Sequence, residues 1–450
     1  MGNNKPVSDV RVVTSLSLLY IFRMLGLFMV FPVMMLFGAD YHGATPFLLG
    51  LALGCYGLTQ AVFQIPLGLL SDIWGRKPII LVGLLIFAMG SMVAALSDSV
   101  WGLVLGRSLQ GAGAIASAVM ALVGDLTSEQ NRTKAMAMIG VSIGLSFSVA
   151  MVVGPALAAA GGLPAIFWLS TLLALAGIVV LYFMVPSPPK GVSSGSDGLA
   201  VPAMLTNTLK NADLLRLNLG IFVLHFALTA TFVIVPGAFV AAGLEVESHW
   251  HYYLPVMIIA FIAMLPLMYL AERKRKMKPI FAFAVLLLVF AELGLTFAVG
   301  LSHWVFGLFV FFTAFNLLEA TLPSMVSKQA PAGSKGTAMG VYSTCQFLGA
   351  ALGGVAGGAC FQQWGVDSVM WLCAALCGLW FLVALWMRPP KYLTSLCIPL
   401  EQGFNEKELK KKVAGVVEAV WVREQSLLYL KVDSKLFDRD VLAEYVRQPA

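Results

Sequence analysis

The sequence predicts an all-α membrane protein of twelve transmembrane helices in two six-helix halves, with a small α+β domain at the C-terminus. Three observations carry that prediction. Of the 450 residues, 59% are hydrophobic and only 12% charged, against roughly 25% charged in soluble chains. Apolar runs of about 20 residues, each long enough at 1.5 Å per residue to cross a ~30 Å hydrocarbon core, recur along the chain. The composition then shifts twice, at "PSPPKGVSSGSDG" from residue 186 and at "RPPKY" from residue 388.

The expected spans of the first half are 14–37, 47–70, 79–97, 100–124, 135–159 and 164–185; those of the second are 214–238, 250–271, 279–300, 303–326, 337–361 and 366–387. Residues 1–185 form the first unit and 186–212 a cytoplasmic linker rich in Pro, Gly and Ser. Residues 213–390 form the second half and 393–450 the soluble domain. The halves also match each other: "TKAMAM" at 133–138 aligns with "SKGTAM" at 334–339, and "RKPII" at 76–80 with "MKPIF" at 277–281, both at an offset of 201. Such internal repeats are typical of transporters whose site lies between the repeats.

Charge fixes the expected orientation. Of the 29 Lys and Arg, Arg23 and Arg107 sit deep inside spans and nine lie beyond residue 400. The remaining 18 gather at one side of the spans, while the opposite loops carry Asp40, Asp98, Glu245, Glu247 and Asp367. By the positive-inside rule both termini are cytoplasmic. The net charge of +6 is thus a topology signal and gives nucleic-acid binding no support. The first apolar run is too long for a cleaved signal, so it is expected to remain as an anchor. The six cysteines show neither disulfide nor metal-ligand spacing, and Cys373 and Cys377 share one helix face as small packing residues.

The tail reads as βαββα. "LTSLCIPL", "VVEAVWV" and "LLYLKV" have strand composition, Asn405 and Glu408 form a capping box at the head of one helix, and Asp438 caps another.

Chemistry concentrates in a few places. "GLLSDIWGRKP" between spans 2 and 3 holds Gly68, Asp72, Gly75, Arg76 and Lys77, with Asp125 at the end of span 4 as the natural partner of Arg76. Span 4 contains "RSLQGAG" and span 5 "GVSIGLSFSVAMVVGPALAAAGG", in which Gly140, Gly144, Gly154 and Pro155 would permit close packing and a kink near the outer end. Tyr56, Gln60 and Gln64 recur at i, i+4 and i+8 on span 2, with Asn316, Tyr342 and Gln346 as second-half counterparts; all six are candidates to line a cavity or to bind helices together.

The loop after span 2 resembles the G-x-x-x-D-R-x-G-R-K signature of the major facilitator superfamily, with Ile73 in place of a basic residue. "RSLQGAG" resembles its R-x-x-Q-G-x-G pattern, and "GPALAAAGG" its antiporter motif, with Ala158 and Ala159 where paired glycines belong. The resemblance covers nearly the whole chain. It implies a proton-driven efflux transporter of the bacterial inner membrane that exports small amphiphilic compounds or drugs by alternating access. It further implies a cytoplasmic latch of Gly68, Asp72, Gly75, Arg76, Lys77 and Asp125, an antiporter role for Gly154 and Pro155, a part in proton coupling for Arg107, and a ferredoxin-like tail.

Arg23 lies roughly 14 Å into span 1, near the midplane. A charge there costs about 2.5 to 3.5 kcal/mol on insertion scales, so Arg23 is expected to face a polar cavity between the halves. Arginine does not release its proton. Glu319 in span 10 and His225 in span 7 are the candidate proton carriers, with Arg23 either setting their field or ion-paired to Glu319 across the halves. The expected partners are a small-molecule substrate, protons and the bilayer, together with a docking or regulatory partner of the tail. No cofactor or metal is expected. The absence of G-x-x-x-x-G-K-[ST] disfavours ATP-driven transport, and no nucleophile–base constellation points to an enzyme. A metabolite uniporter or symporter, or a membrane sensor signalling through the tail, are the alternatives.

Overall fold

The computed structural model describes residues 9–127, 129–186, 208–332, 334–389, 393–399, 409, 412–422, 427–433, 436–438 and 441–442. Helix α1 (Asp9–Phe28) opens the first half, and α2 (Met34–Phe37) is the remnant of the same span. The sequence predicts one helix over 14–37, but Pro32 lacks the N–H a continuous helix needs, and residues 29–33 form turns. Then follow α3 (Pro46–Trp74), α4 (Arg76–Ala95), α5 (Val100–Ala112), α6 (Ala116–Leu126) and α7 (Glu129–Phe183). Side chains start two of them: Thr45 accepts from Leu48 N at 3.2 Å at the head of α3, and Ser99 from Gly102 N at 3.3 Å at the head of α5.

Helices α5 and α6 together make the fourth span. Their break at Gly113 brings the chain so close to α4 that a Cβ there would lie 2.3 Å from the Gly83 carbonyl oxygen. Helix α7 contains both the fifth and sixth spans, divided where Gly161 leaves helical geometry and Gly162 takes φ 65°. This glycine pair is the connection expected between the two spans, and Pro155 lies inside the helix before it.

The second half comprises α8 (Ala212–Ala241), α9 (Trp250–Glu272), α10 (Met277–Thr296), α11 (Leu301–Gln329), α12 (Lys335–Trp364) and α13 (Val366–Leu385). Asn211 caps α8 by accepting from Asp213 N and Leu214 N at 3.0 and 3.2 Å. All twelve expected spans thus have a helical counterpart. Most of the linker, residues 187–207, lies outside the described residues.

The halves meet at the acidic-loop end. Gly50, Gly54 and Gly57 of α3 lie against Gly354, Ala351 and Phe347 of α12, where an added Cβ would stand 2.3, 2.3 and 2.6 Å from a carbonyl oxygen. Small residues permit this backbone approach, which maximises van der Waals contact where apolar lipid offers no hydrophobic drive. Phe31, Phe147, Phe232 and Phe312 add an aromatic plug across the halves, with ring centroids 5.8 to 6.2 Å apart.

Among the described residues, three antiparallel strands follow the last span: β1 (Thr394–Pro399), β2 (Val416–Val422) and β3 (Leu427–Val432), in the order β1-β3-β2. Leu428, Leu430 and Val432 alternate onto one face of β3 and pack with Leu409, Val413, Ala419 and Leu442 in a second, separate core. This order fits the ferredoxin-like expectation. Most of the two predicted tail helices, Asn405 and Glu408 included, falls outside the described residues.

Candidate functional site

In the first half, Arg23 is 1% exposed. It points to α3, where its Nη2 donates to Tyr56 Oη at 3.1 Å and Gln60 Oε1 at 2.5 Å. Gln60 in turn donates to Gln64 Oε1 at 3.4 Å. From α5, Arg107 covers the ring of Tyr56 at 4.7 Å. Its Nη1 donates to Gln110 Oε1 at 2.8 Å, and Gln110 donates to Ser91 on α4 at 2.7 Å. Tyr56, Gln60 and Gln64 are 2%, 0% and 4% exposed and so do not line an open cavity; Tyr56 and Gln60 bind α3 to α1 within the first half, while Gln64 bonds Gln60 on its own helix. Arg23 likewise lies inside that half, and it forms no ion pair with Glu319. Its depth follows from counting residues, but the α1 face that carries it turns toward α3.

The second half has its own polar group. The Nε2 of Gln346 on α12 is 2.9 Å from His225 Nε2 on α8 and donates to Glu319 Oε1 on α11 at 3.2 Å. His225 Nε2 and Glu319 Oε2 are 3.8 Å apart. The Glu319 side chain is 36% exposed and that of His225 is 13% exposed, although Glu319 Oε2, the oxygen nearest His225, is itself buried and has no hydrogen-bond partner. Asn316 is half-buried one turn before Glu319. Tyr342 is 3% exposed and its hydroxyl is unpartnered. Away from this group, Thr231 donates to the buried Glu292 at 3.1 Å.

At the basic-loop end the structure brings together the residues of the loop after the second span. Gly75 adopts φ 95°, ψ 151°, which favours glycine, and reverses the chain between α3 and α4. Arg76 pairs with Asp72, binds Asp125 Oδ2 at 3.1 Å and donates to Ser71 Oγ at 2.7 Å. Lys77 Nζ donates to Val185 O at 2.6 Å, and Gly68 lets α3 approach Ser117 on α6, which a Cβ would meet at 3.1 Å. On α7, Gly154 lies against the broken stretch of the first span, where a Cβ would be 2.5 Å from Met29 O; Pro155 follows it inside the helix. Gly140 and Gly144, expected to pack closely, have open space at their Cβ positions.

One cluster was not foreseen. Glu272 at the end of α9 pairs with Lys328 of α11 at 2.9 Å and accepts from Ser324 at 2.7 Å. The signal was present: the 201-residue offset carries Asp72 and Asp125 to within two positions of Glu272 and Lys328.

Two six-span halves, closed on each other at one end and holding polar groups at mid-membrane, are the architecture of a secondary transporter. Residues 16–354 and 317–423 match the model of the Major Facilitator Superfamily. The chain is 47% identical over 444 residues to the inner membrane transport protein YajR of Escherichia coli strain K12, covering 97% of each. A shorter match, 34% identical, covers 23% of this chain and 26% of the class B tetracycline resistance protein of Escherichia coli. Among solved structures, a bacterial homolog of the human lysosomal transporter Spinster, inward-facing and occupied, has a TM-score of 0.69 at 15% identity and covers 85% of this chain and 97% of its own. The chain belongs to the Major Facilitator Superfamily; it is a multi-pass inner-membrane transporter and not an enzyme.

Proposed function

We propose that this protein is a proton-coupled antiporter that exports small amphiphilic compounds, with its basic loops and both termini in the cytoplasm. The observation that carries this reading is the His225–Gln346–Glu319 chain, which links three helices of one half through groups able to take up a proton. A neutral imidazole nitrogen facing the Gln346 amide accepts its hydrogen bond; once protonated, the same nitrogen is a donor. The amide must then flip its oxygen toward His225 or turn away, and either move breaks its bond to Glu319. Proton uptake would thus rearrange α8 and α12 against α11, and that rearrangement is the coupling step. With the basic loops cytoplasmic, closure at the acidic-loop end makes this an inward-facing conformation. The similarity of part of the chain to a tetracycline resistance protein supports a drug-like substrate. Arg23 is spent inside the first half, so it gives an anionic metabolite no special support.

In acid-inside inverted vesicles bearing the protein, a pH dye should report gradient collapse on addition of a lipophilic cation from a test panel. Glu319→Gln and His225→Ala should each abolish that response. Transport by both variants with an unchanged pH dependence would sink the proposal.

A further inference from the structure

Among the described residues, the tail sheet meets the membrane unit through Lys431 and Glu418. Lys431 of β3 is 3% exposed although it points away from the tail's apolar core. Its Nζ donates to the carbonyl oxygen of Lys328 at 2.9 Å. That carbonyl belongs to the last turn of α11, which lacks an intrahelical donor and favours a cation. Glu418 of β2 accepts from the backbone N of Ala332 at 3.2 Å, in the link between α11 and α12. Glu418 and Lys431 are cross-strand partners, so one carboxylate and one ammonium on a single sheet face hold a donor and an acceptor four residues apart. The gripped residue Lys328 is the one whose side chain holds Glu272 of α9.

We propose that the tail is an intramolecular clamp whose binding site is the α11–α12 link of the same chain, and that it favours the conformation open at the basic-loop end. Helix α11 runs from the clamped turn back to Glu319, nine residues or about 13 Å upstream. Clamping Lys328 therefore fixes the end of the helix that carries the Glu319 carboxylate, together with its partner α9. Both contacts are to backbone groups, so the grip depends on the position of the link and not on its side chains. A displacement of this link relative to the sheet would break both contacts together.

The test uses the full chain in nanodiscs with its six cysteines replaced and spin labels at Phe183→Cys and Lys274→Cys. Both positions are exposed and lie at the basic-loop end of opposite halves. Pulsed dipolar spectroscopy should show mainly a long distance in the parent. In Glu418→Ala/Lys431→Ala, and after removal of residues 395–450, the ratio of long to short populations should fall about tenfold, the scale of losing one or two net hydrogen bonds. Hydrogen exchange across 416–432 checks that the tail of the double variant stays folded. Unchanged distances after deletion overturn the clamp. So does a shift on deletion that a folded double variant fails to reproduce.

Discussion

Arg107 lies over the ring of Tyr56, its guanidinium carbon 4.7 Å from the ring centroid, while the hydroxyl of the same tyrosine accepts from Arg23. One side chain thus serves two buried guanidinium groups on different helices. Tyr56→Phe keeps the stacked ring and removes only the acceptor for Arg23. An unmade hydrogen bond to a buried charged group costs about 1–3 kcal/mol. Tyr56→Ala also removes the cation–π contact, worth about 2 kcal/mol when desolvated. Melting in detergent should therefore rank parent above Tyr56→Phe above Tyr56→Ala. Equal melting of the two variants would remove Arg107 from the account.

In the proposed coupling, Gln346 stands between proton binding and its transmission. Gln346→Leu leaves His225 and Glu319 in place but deletes the amide between them. Transport should slow by about tenfold, a coupling free energy near 1.4 kcal/mol, yet still accelerate as the compartment facing the acidic loops is acidified. Glu319→Gln should abolish that acceleration. The measurement is efflux from proteoliposomes with the outer pH stepped from about 8 to about 6, which reads proton dependence on either side of neutrality. A flat profile for Gln346→Leu would mean that the amide is itself required for proton uptake.

The Arg76 cluster makes a geometric prediction. Its guanidinium meets Ser71, Asp72 and Asp125 with side-chain exposures of 12% for Arg76 and 8% for Asp125. Lysine keeps the charge but presents one ammonium in place of a planar fork. Arg76→Lys should therefore lose most of what Arg76→Ala loses. A double-mutant cycle of Arg76→Ala with Asp125→Ala should give a coupling of about 1–3 kcal/mol by thermal denaturation. Little of it should fade in high salt, since a mostly buried pair is weakly screened. A coupling near zero would reduce Arg76 to a surface anchor.

What the sequence revealed and what it hid divide along one physical line. Features set by local chain chemistry were legible: the twelve spans, the reversal at Gly75, and the tail strands 416–422 and 427–432, which fall on the expected residues. The i, i+4, i+8 row of Tyr56, Gln60 and Gln64 was also legible as one face of a helix. Which neighbour that face meets was not, because rotation of a transmembrane helix about its axis is decided by packing against other helices. The same ignorance placed Arg23 in the cavity. It also gave Gly140 and Gly144 a packing role, whereas the close approaches fall at Gly50, Gly54, Gly57 and Gly154. Glu272 keeps the sign of Asp72, but Lys328 puts a cation near the position equivalent to Asp125, so a search for repeated motifs passes over the pair.

The glycine contact between the halves yields the last prediction. A Cβ at Gly54 would stand 2.3 Å from the carbonyl oxygen of Ala351 and 3.1 Å from its carbon. Both are backbone atoms of α12, so no rotamer change relieves the overlap and the two helices must separate. Each half packs internally through other faces, so Gly54→Val should fold and insert. Its closed acidic-loop end should be lost, and the equilibrium should move toward the form open on that side. A cysteine introduced at Phe31, which is 5% exposed within the aromatic plug, would then react with a membrane-impermeant maleimide added at the acidic-loop side. In the parent the same cysteine should stay protected. Gly57→Val, whose Cβ would meet the Phe347 carbonyl oxygen at 2.6 Å, should act in the same direction, whereas Gly144→Val, with open space around it, should leave labelling unchanged. Equal protection in Gly54→Val and parent would show that the glycine row does not hold the halves together.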